Sequence, residues 1–292
     1  MNAEWLRVMT FNLWHGGEAG QQPLEQSVRV VQAAQADAVG FQETFGQGDS
    51  EKAAGDNAAK IAQKLGWHYL AQGYGTGIAS RFPVVSQAPQ KWGAQLKLDS
   101  GRLVWLFNIH LMYTPYQPYQ LLNIPYNSAP FLRTEAEAIQ AAQVARGEQV
   151  RQLLAEVRAV QASCHKNEPI FLTGDFNEPS HIDWTSAAAA TGHCPLKVEW
   201  PSTKVLVDGG LQDAYRQVYS DPVSHRGLTW TPTTTLNDPQ DRHDRIDFVF
   251  VGGQGAIAHA AQIVGESPLW ADTVVEPYPS DHRAVVVAFH LT

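Results

Sequence analysis

Cysteine is nearly absent, with only Cys164 and Cys194 among 292 residues. Two cysteines without framework spacing argue against a disulfide scaffold or a thiolate metal site and leave free thiols or packing residues as the expectation. Long apolar runs are missing too. No stretch approaches the ~20 residues of a membrane-spanning helix, so no transmembrane segment is expected. The opening residues, Met1 to Arg7, carry no apolar signal core, and the polypeptide as given reads as cytoplasmic (secreted only if a leader was removed). Basic charge is also short: 21 Lys and Arg stand against 29 Asp and Glu, a net charge of −8. That disfavours a protein that coats nucleic acid, although a local basic cleft would still permit a nuclease. Surplus carboxylates suit a hard-cation site. Repeats and linker-like stretches are lacking as well, so one domain over residues 1–292 is expected.

Apolar residues are plentiful, at 44% of the chain, enough for a sizeable core. Ile170 to Asn177 is the most informative stretch. Its apolar run ends at Gly174, a pattern that a strand covered on both faces produces. Asp175 and Asn177 then stand two residues apart in extended chain and point the same way, at the lip of a sheet. Other strands end in similar fashion. Leu6 to Leu13 ends near Asn12, Asp37 to Gln42 ends at Glu43, and Leu103 to Leu111 carries His110 near its end. Asp247 lies on the strand Arg245 to Val251, and Asp281-His282 precede the strand Ala284 to His290.

Helices are expected over Pro23 to Ala36, after a cap at Asp56, and from the capping box Thr134-Glu137 to about Cys164. Ser180 is expected to cap a short helix through Ala187 to Ala190, and another starts near Leu211. Between His110 and the long helix, Met112 to Phe131 is rich in proline and tyrosine. Prolines at this density argue against a helix. Two readings of this segment fit: a lid or binding wall, or a loop packing its own aromatics on the body.

Each strand-end residue alone has an ordinary explanation: Asn12 as a turn former, Glu43 as solvated surface, His110 as a satisfied core residue. Together, Asn12, Glu43, His110, Asp175, Asn177, Asp247, Asp281 and His282 form a set rich in oxygen donors and free of cysteine. Such a set suits Mg²⁺ or Mn²⁺, with substrate oxygens completing the shell.

Seven blocks in order carry a family resemblance: TFNLWHGG at Thr10, GFQET at Gly40, GIASRFPV at Gly77, FNIHL at Phe107, LTGDFNEP at Leu172, DRIDFVFV at Asp244 and SDHRAVVV at Ser280. The chain resembles the endonuclease/exonuclease/phosphatase (DNase I-like) superfamily over nearly its whole length. The resemblance implies an α/β four-layer sandwich of two packed mixed β-sheets flanked by helices. It implies Glu43 as principal metal ligand, with Asn12 beside it and Asp281 helping. Asp175 is implied to orient or deprotonate the attacking water, Asn177 to hold the scissile phosphate, and His282, oriented by Asp247, to contact the phosphate or move a proton. His110 is implied to assist the leaving group.

Two features depart from the family pattern. Trp14 stands where some nuclease members carry an acid, and residues 112–164 form an insertion. Trp14, His15, Arg81, Tyr113 and Tyr116 are candidates for substrate contact. The function expected is a divalent-metal phosphoesterase using in-line water attack on a phosphodiester or phosphomonoester, with a small or lipid-like substrate. A DNA or RNA nuclease, with Tyr113, Tyr116 and Tyr119 stacking bases, is the alternative. A non-catalytic scaffold is a third reading, disfavoured because the full residue set is retained. The oligomeric state is not legible.

Overall fold

Two mixed β-sheets are stacked face to face in a computed structural model that describes residues 4–47, 55–164 and 168–292; Met1 to Ala3 lie outside the described residues. The strands are β1 (Glu4–Asn12), β2 (Ala38–Gln42), β3 (His68–Gly73), β4 (Thr76–Ser80), β5 (Val84–Gln87), β6 (Gly93–Lys97), β7 (Leu103–His110), β8 (Ile170–Asp175), β9 (Gln212–Asp213), β10 (Asp247–Gly252), β11 (Ala256–Gly265), β12 (Thr273–Val274) and β13 (Ala284–Leu291). One sheet runs β12-β11-β13-β1-β2-β4-β3 and the other β5-β6-β7-β8-β10-β9. The central pairs β1–β2 and β7–β8 are parallel, and antiparallel strands flank them.

The two-residue period of a strand explains the layering. In β1, Leu6 and Val8 enter the core between the sheets, whereas Met9 and Phe11 face the helices α1 (Leu24–Ala33) and α2 (Asn57–Leu65). In β8, Phe171 enters the inter-sheet core. Ile170 and Leu172 meet Val150, Leu153 and Val157, which lie in the long Glu135–Ser163 helix. Both faces of these strands are covered, which is why they read as near-continuous apolar runs. Each such side chain contributes roughly 1.5–3 kcal/mol by leaving water.

The remaining described α-helices are α3 (Gln117–Leu122), α4 (Glu135–Ser163), α5 (Ser186–Ala190), α6 (Pro201–Asp208) and α7 (Ala214–Val218). The Thr134-Glu137 capping box opens α4, and Asp56 caps α2 through Ala59 N–H. Two expectations are corrected. Residues 112–131 do contain a helix, α3, because Pro118 falls in its first turn, where no N–H is needed. Thr185, not Ser180, caps α5; Ser180 heads a preceding turn, accepting from Asp183 and Trp184.

A polar seam joins the sheets at one end. Asn108 Oδ1 accepts from Gln42 Nε2 at 2.6 Å and from Thr173 Oγ1 at 3.1 Å. A Cβ at Gly40 would lie 2.0 Å from Thr173 Oγ1, so glycine is required for this approach.

Candidate active site

The two sheets present their functional residues at the same edge. Asn12, His110 and Asp175 close β1, β7 and β8, and Glu43 follows β2 directly. β10 runs antiparallel to β8 with Asp247 opposite Asp175, so the first residue of one strand meets the last of the other. β13 runs antiparallel to β1, which brings the residues before it back to Asn12. Ser280 Oγ fixes that return by donating to Asn12 O at 2.7 Å and accepting from His282 N at 3.0 Å.

Asp175 is the hub. Its Oδ2 accepts from Asn12 Nδ2 at 2.9 Å and lies 3.5 Å from His110 Nε2 and 3.7 Å from His282 Nε2. Its Oδ1 accepts from the Asn177 backbone N–H at 2.8 Å. Burial pushes this carboxyl up, but the His282 charge, with the Asn177 backbone N–H, outweighs it and holds Asp175 below the usual carboxylate range. An ionised, weakly basic Asp175 is better suited to orienting a water than to stripping its proton.

His282 Nδ1 lies 2.9 Å from Asp247 Oδ2. The Thr229 hydroxyl accepts from the Ile246 and Asp247 backbone N–H groups at 3.0 and 3.2 Å and anchors the start of β10. Burial pushes His282 down, yet Asp247 and Asp175 raise it well above the ordinary histidine value, so it stands as an imidazolium.

His110 is contested. Burial lowers its pKa and the neighbouring carboxylates raise it further than that, but Asn177 Nδ2 lies only 3.0 Å from Nε2 and also donates to Leu111 O at 3.1 Å. The closer amide decides for a neutral ring accepting at Nε2. Both Asn177 amide hydrogens are thereby committed, and any incoming acceptor would have to displace one of them.

Glu43 accepts from Asn12 Nδ2 at 3.3 Å and from the His15 backbone N–H at 3.0 Å. Asn12 Oδ1 is already taken by Trp14 N–H at 2.9 Å. Asn12 is therefore placed as a donor that holds two carboxylates, with one lone pair of its Oδ1 taken by Trp14 N–H. Glu43 (φ 51°) and Asn177 (φ 47°) both adopt left-handed backbone, a cost commonly borne at functional positions. Asp281 points into the cleft with Oδ1 buried and unpartnered, and burial, followed by Glu43 and Asp175 against the pull of His282, pushes it up to about 6.

A hard divalent cation fits Glu43 and Asp281. They are oxygen donors on the open cleft, and Asp281 has a lone pair without a partner. Asp175, Asp247 and His282 also cluster closely enough to ligate, but they are buried, and Asp247 already holds the proton-bearing nitrogen of His282.

The cleft encloses about 760 Å³. Trp14, His15 and Tyr113 line it. Tyr116 is buried, its hydroxyl 2.9 Å from Asp244, and lines a smaller annex instead. Arg81 does not reach the site. It pairs with Asp37 at 2.7 Å, at the opposite end of the β2–β4 ladder from Glu43. Sequence reasoning missed Tyr74, Tyr126 and Trp230, which also line the cleft. It missed Ser280 and Thr229 too, although Ser280 is adjacent to Asp281.

The endonuclease/exonuclease/phosphatase family model matches residues 9–282. A Caenorhabditis elegans protein, F14F9.5, described only as uncharacterized, is 30% identical over 96% of this chain and 90% of its own length. The fold is similar to an endonuclease/exonuclease/phosphatase from Beutenbergia cavernae (TM-score 0.58, 20% identity, 98% of this chain and 72% of that one). It is likewise similar to truncated Caenorhabditis elegans TDP2 (TM-score 0.57, 18% identity, 98% and 97%). The match of a family model to nearly the whole length means that the chain belongs to the endonuclease/exonuclease/phosphatase family.

Proposed function

We propose that the protein is a divalent-metal-dependent phosphodiesterase acting on a small or lipid-like phosphate ester. The observation that carries this reading is the convergence of Glu43, Asp281, Asn177 and His282, with Asp175 directly behind them, on one open cleft where neither Lys nor Arg is among the described lining residues. Phosphodiesters resist attack because they are anionic and their uncatalysed hydrolysis is very slow. Mg²⁺ or Mn²⁺ on Glu43 and Asp281 would withdraw charge from the phosphoryl oxygens. Asp175 orients the attacking water in line with the leaving oxygen. The His282 imidazolium, held by Asp247, contacts the phosphate and stabilises charge developing there. Asn177 donates to a phosphate oxygen once it releases His110 or Leu111. The freed His110 is then beside the leaving oxygen.

Long nucleic acid fits this cleft less well, because backbone-tracking grooves carry basic side chains. The test is hydrolysis of bis-p-nitrophenyl phosphate, p-nitrophenyl phosphate, a lipid phosphodiester and plasmid DNA, each with Mg²⁺, Mn²⁺ or EDTA. Metal-dependent turnover of the small or lipid ester, lost in Asp175→Asn, supports the reading. Faster cleavage of plasmid than of every other ester would replace it with a nuclease. Wild type and Asp175→Asn equally inert on all of them would point to a scaffold.

A further inference from the structure

Beside the phosphate site, an annex of about 90 Å³ opens off the cleft, and its lining is almost wholly aromatic: Tyr113, Tyr116, Tyr119, Tyr126 and Trp230, with Ile246 and Asn177. By the space one water needs, it holds roughly six heavy atoms. The rings are not parallel. Tyr116 meets Tyr119 at 88° and Trp230 at 78°, and Tyr119 meets Tyr126 at 82°, with centroids 5.1 to 5.6 Å apart. Perpendicular rings enclose a rounded space. A stacked base needs a flat slot between near-parallel faces.

Two hydroxyls are turned out of the annex. Tyr116 donates to Asp244, and Tyr119 to Asp241 at 2.5 Å, and neither acid is among the lining residues. Among the described residues, no Lys, Arg or His lines the annex. The adjoining cleft holds Glu43 and Asp281, with Asp175 and Asp247 buried just behind His282. A small space walled by electron-rich rings, with the Tyr116 and Tyr119 hydroxyls turned away, favours a soft organic cation over an anionic group.

We infer that the annex receives a quaternary ammonium group carried on one arm of the phosphate ester, with phosphocholine as the simplest fit. A trimethylammonium head with its two-carbon tether has six heavy atoms, which matches the space. The inference rests on the cleft being a phosphoester site and adds the chemistry of the substrate's arm. A free choline phosphodiester and a lipid headgroup would present the same group.

The test compares binding of phosphocholine with its dimethylbutyl isostere, in which carbon replaces the nitrogen, by calorimetry on the intact protein with Mg²⁺. Shape is held constant, so the ratio of the two dissociation constants reads the cation alone. Phosphocholine should bind about tenfold tighter or better. Tyr126→Leu and Trp230→Leu should each bring the ratio toward one, a readout that a general loss of folded protein does not mimic. Equal or weaker binding of phosphocholine overturns the inference, as does tighter binding of a nucleoside monophosphate.

Glycerophosphocholine in solution and phosphatidylcholine vesicles separate the two sources. Release from either one supports the inference and names the source. Release from neither, with bis-p-nitrophenyl phosphate still hydrolysed, overturns the inference while the phosphodiesterase reading stands. A preserved binding ratio with no phosphodiester hydrolysed at all would sink that reading and keep the cation site.

Discussion

Asp175 and Asp247 face each other across the β8–β10 ladder, one ending its strand and the other beginning its own. Directly opposed like charges destabilise an antiparallel pair. His282 spans the two, with Nδ1 2.9 Å from Asp247 and Nε2 3.7 Å from Asp175. The imidazolium is thus both the counter-ion that lets two buried acids share an edge and the group turned toward the cleft. Fold stability and the proposed phosphate contact depend on the same positive charge.

Asp247→Asn should lower kcat on bis-p-nitrophenyl phosphate by about a hundredfold or more, because the His282 ring loses both its orientation and its charge support. His282→Gln should cost a similar factor. The double variant should be no slower than the worse single, since the two residues act as one unit. Losses that multiply in the double variant would separate Asp247 from His282.

Glu43→Gln should weaken Mn²⁺ binding by at least about tenfold, as loss of a charged oxygen ligand does. Titration of the wild type and variant by calorimetry would measure it, and EDTA should abolish wild-type turnover. An unchanged Mn²⁺ affinity would move the cation to the buried Asp175, Asp247 and His282 cluster.

Much of the site was legible because strand ends are legible. A continuous apolar run bounded by a polar residue marks both the strand and its mouth, as at Asp175 and Glu43: β1, β2, β7 and β8 end there and β10 begins there. What the sequence hid was partnership across distance. Trp230 lies in a polar loop with no period to mark it, and nothing local ties it to Tyr116, 5.6 Å away. Arg81 misled because a motif gives order along the chain but not which end of a strand faces the cleft. The orientation of the Asn12 amide depends on Trp14 N–H, a bond that residue types alone do not announce. The proline density of residues 112–131 argues against a helix, yet Pro118 needs only the first turn of one.

Acid sensitivity should trace in part to Asp183. It accepts from Arg216 Nε at 2.7 Å and from Arg245 Nε at 2.9 Å. Burial raises its carboxyl, but Arg245 and Arg216 more than offset this, and it lies below the ordinary value. The folded state therefore binds fewer protons than the unfolded one between the two pKa values. The stabilisation is fully present above about pH 4, where the unfolded carboxylate is ionised, and is lost as pH falls through the lower folded value. Urea unfolding of wild type and Asp183→Asn should give curves well separated at pH 6 that converge as pH falls below about 4. A separation that stays constant with pH would mean that the charge of Asp183 is not what stabilises.

The turn that carries Asn177 should depend on the segment that precedes β8. Arg146 of α4 is fully buried, donates to Gln117 Oε1 at 2.6 Å and to Pro115 O at 2.8 Å, and lies 3.6 Å from Glu178 Oε2. Glu178 sits one residue after Asn177, fully buried, with Oε1 accepting from Ser202 N at 2.8 Å. One guanidinium therefore ties α3 and α4 to the turn that carries Asn177. Arg146→Met removes one partner of a buried pair and strands the other, a change that costs about 3 kcal/mol or more. Adding Glu178→Gln removes the stranded charge and keeps an acceptor for Ser202, so the double variant should recover most of that stability in urea unfolding. Recovery of stability without recovery of kcat would show that Arg146 also positions Asn177. Failure of the double variant to recover stability would mean that the contacts of Arg146 to Pro115 and Gln117, not its charge, hold the segment down.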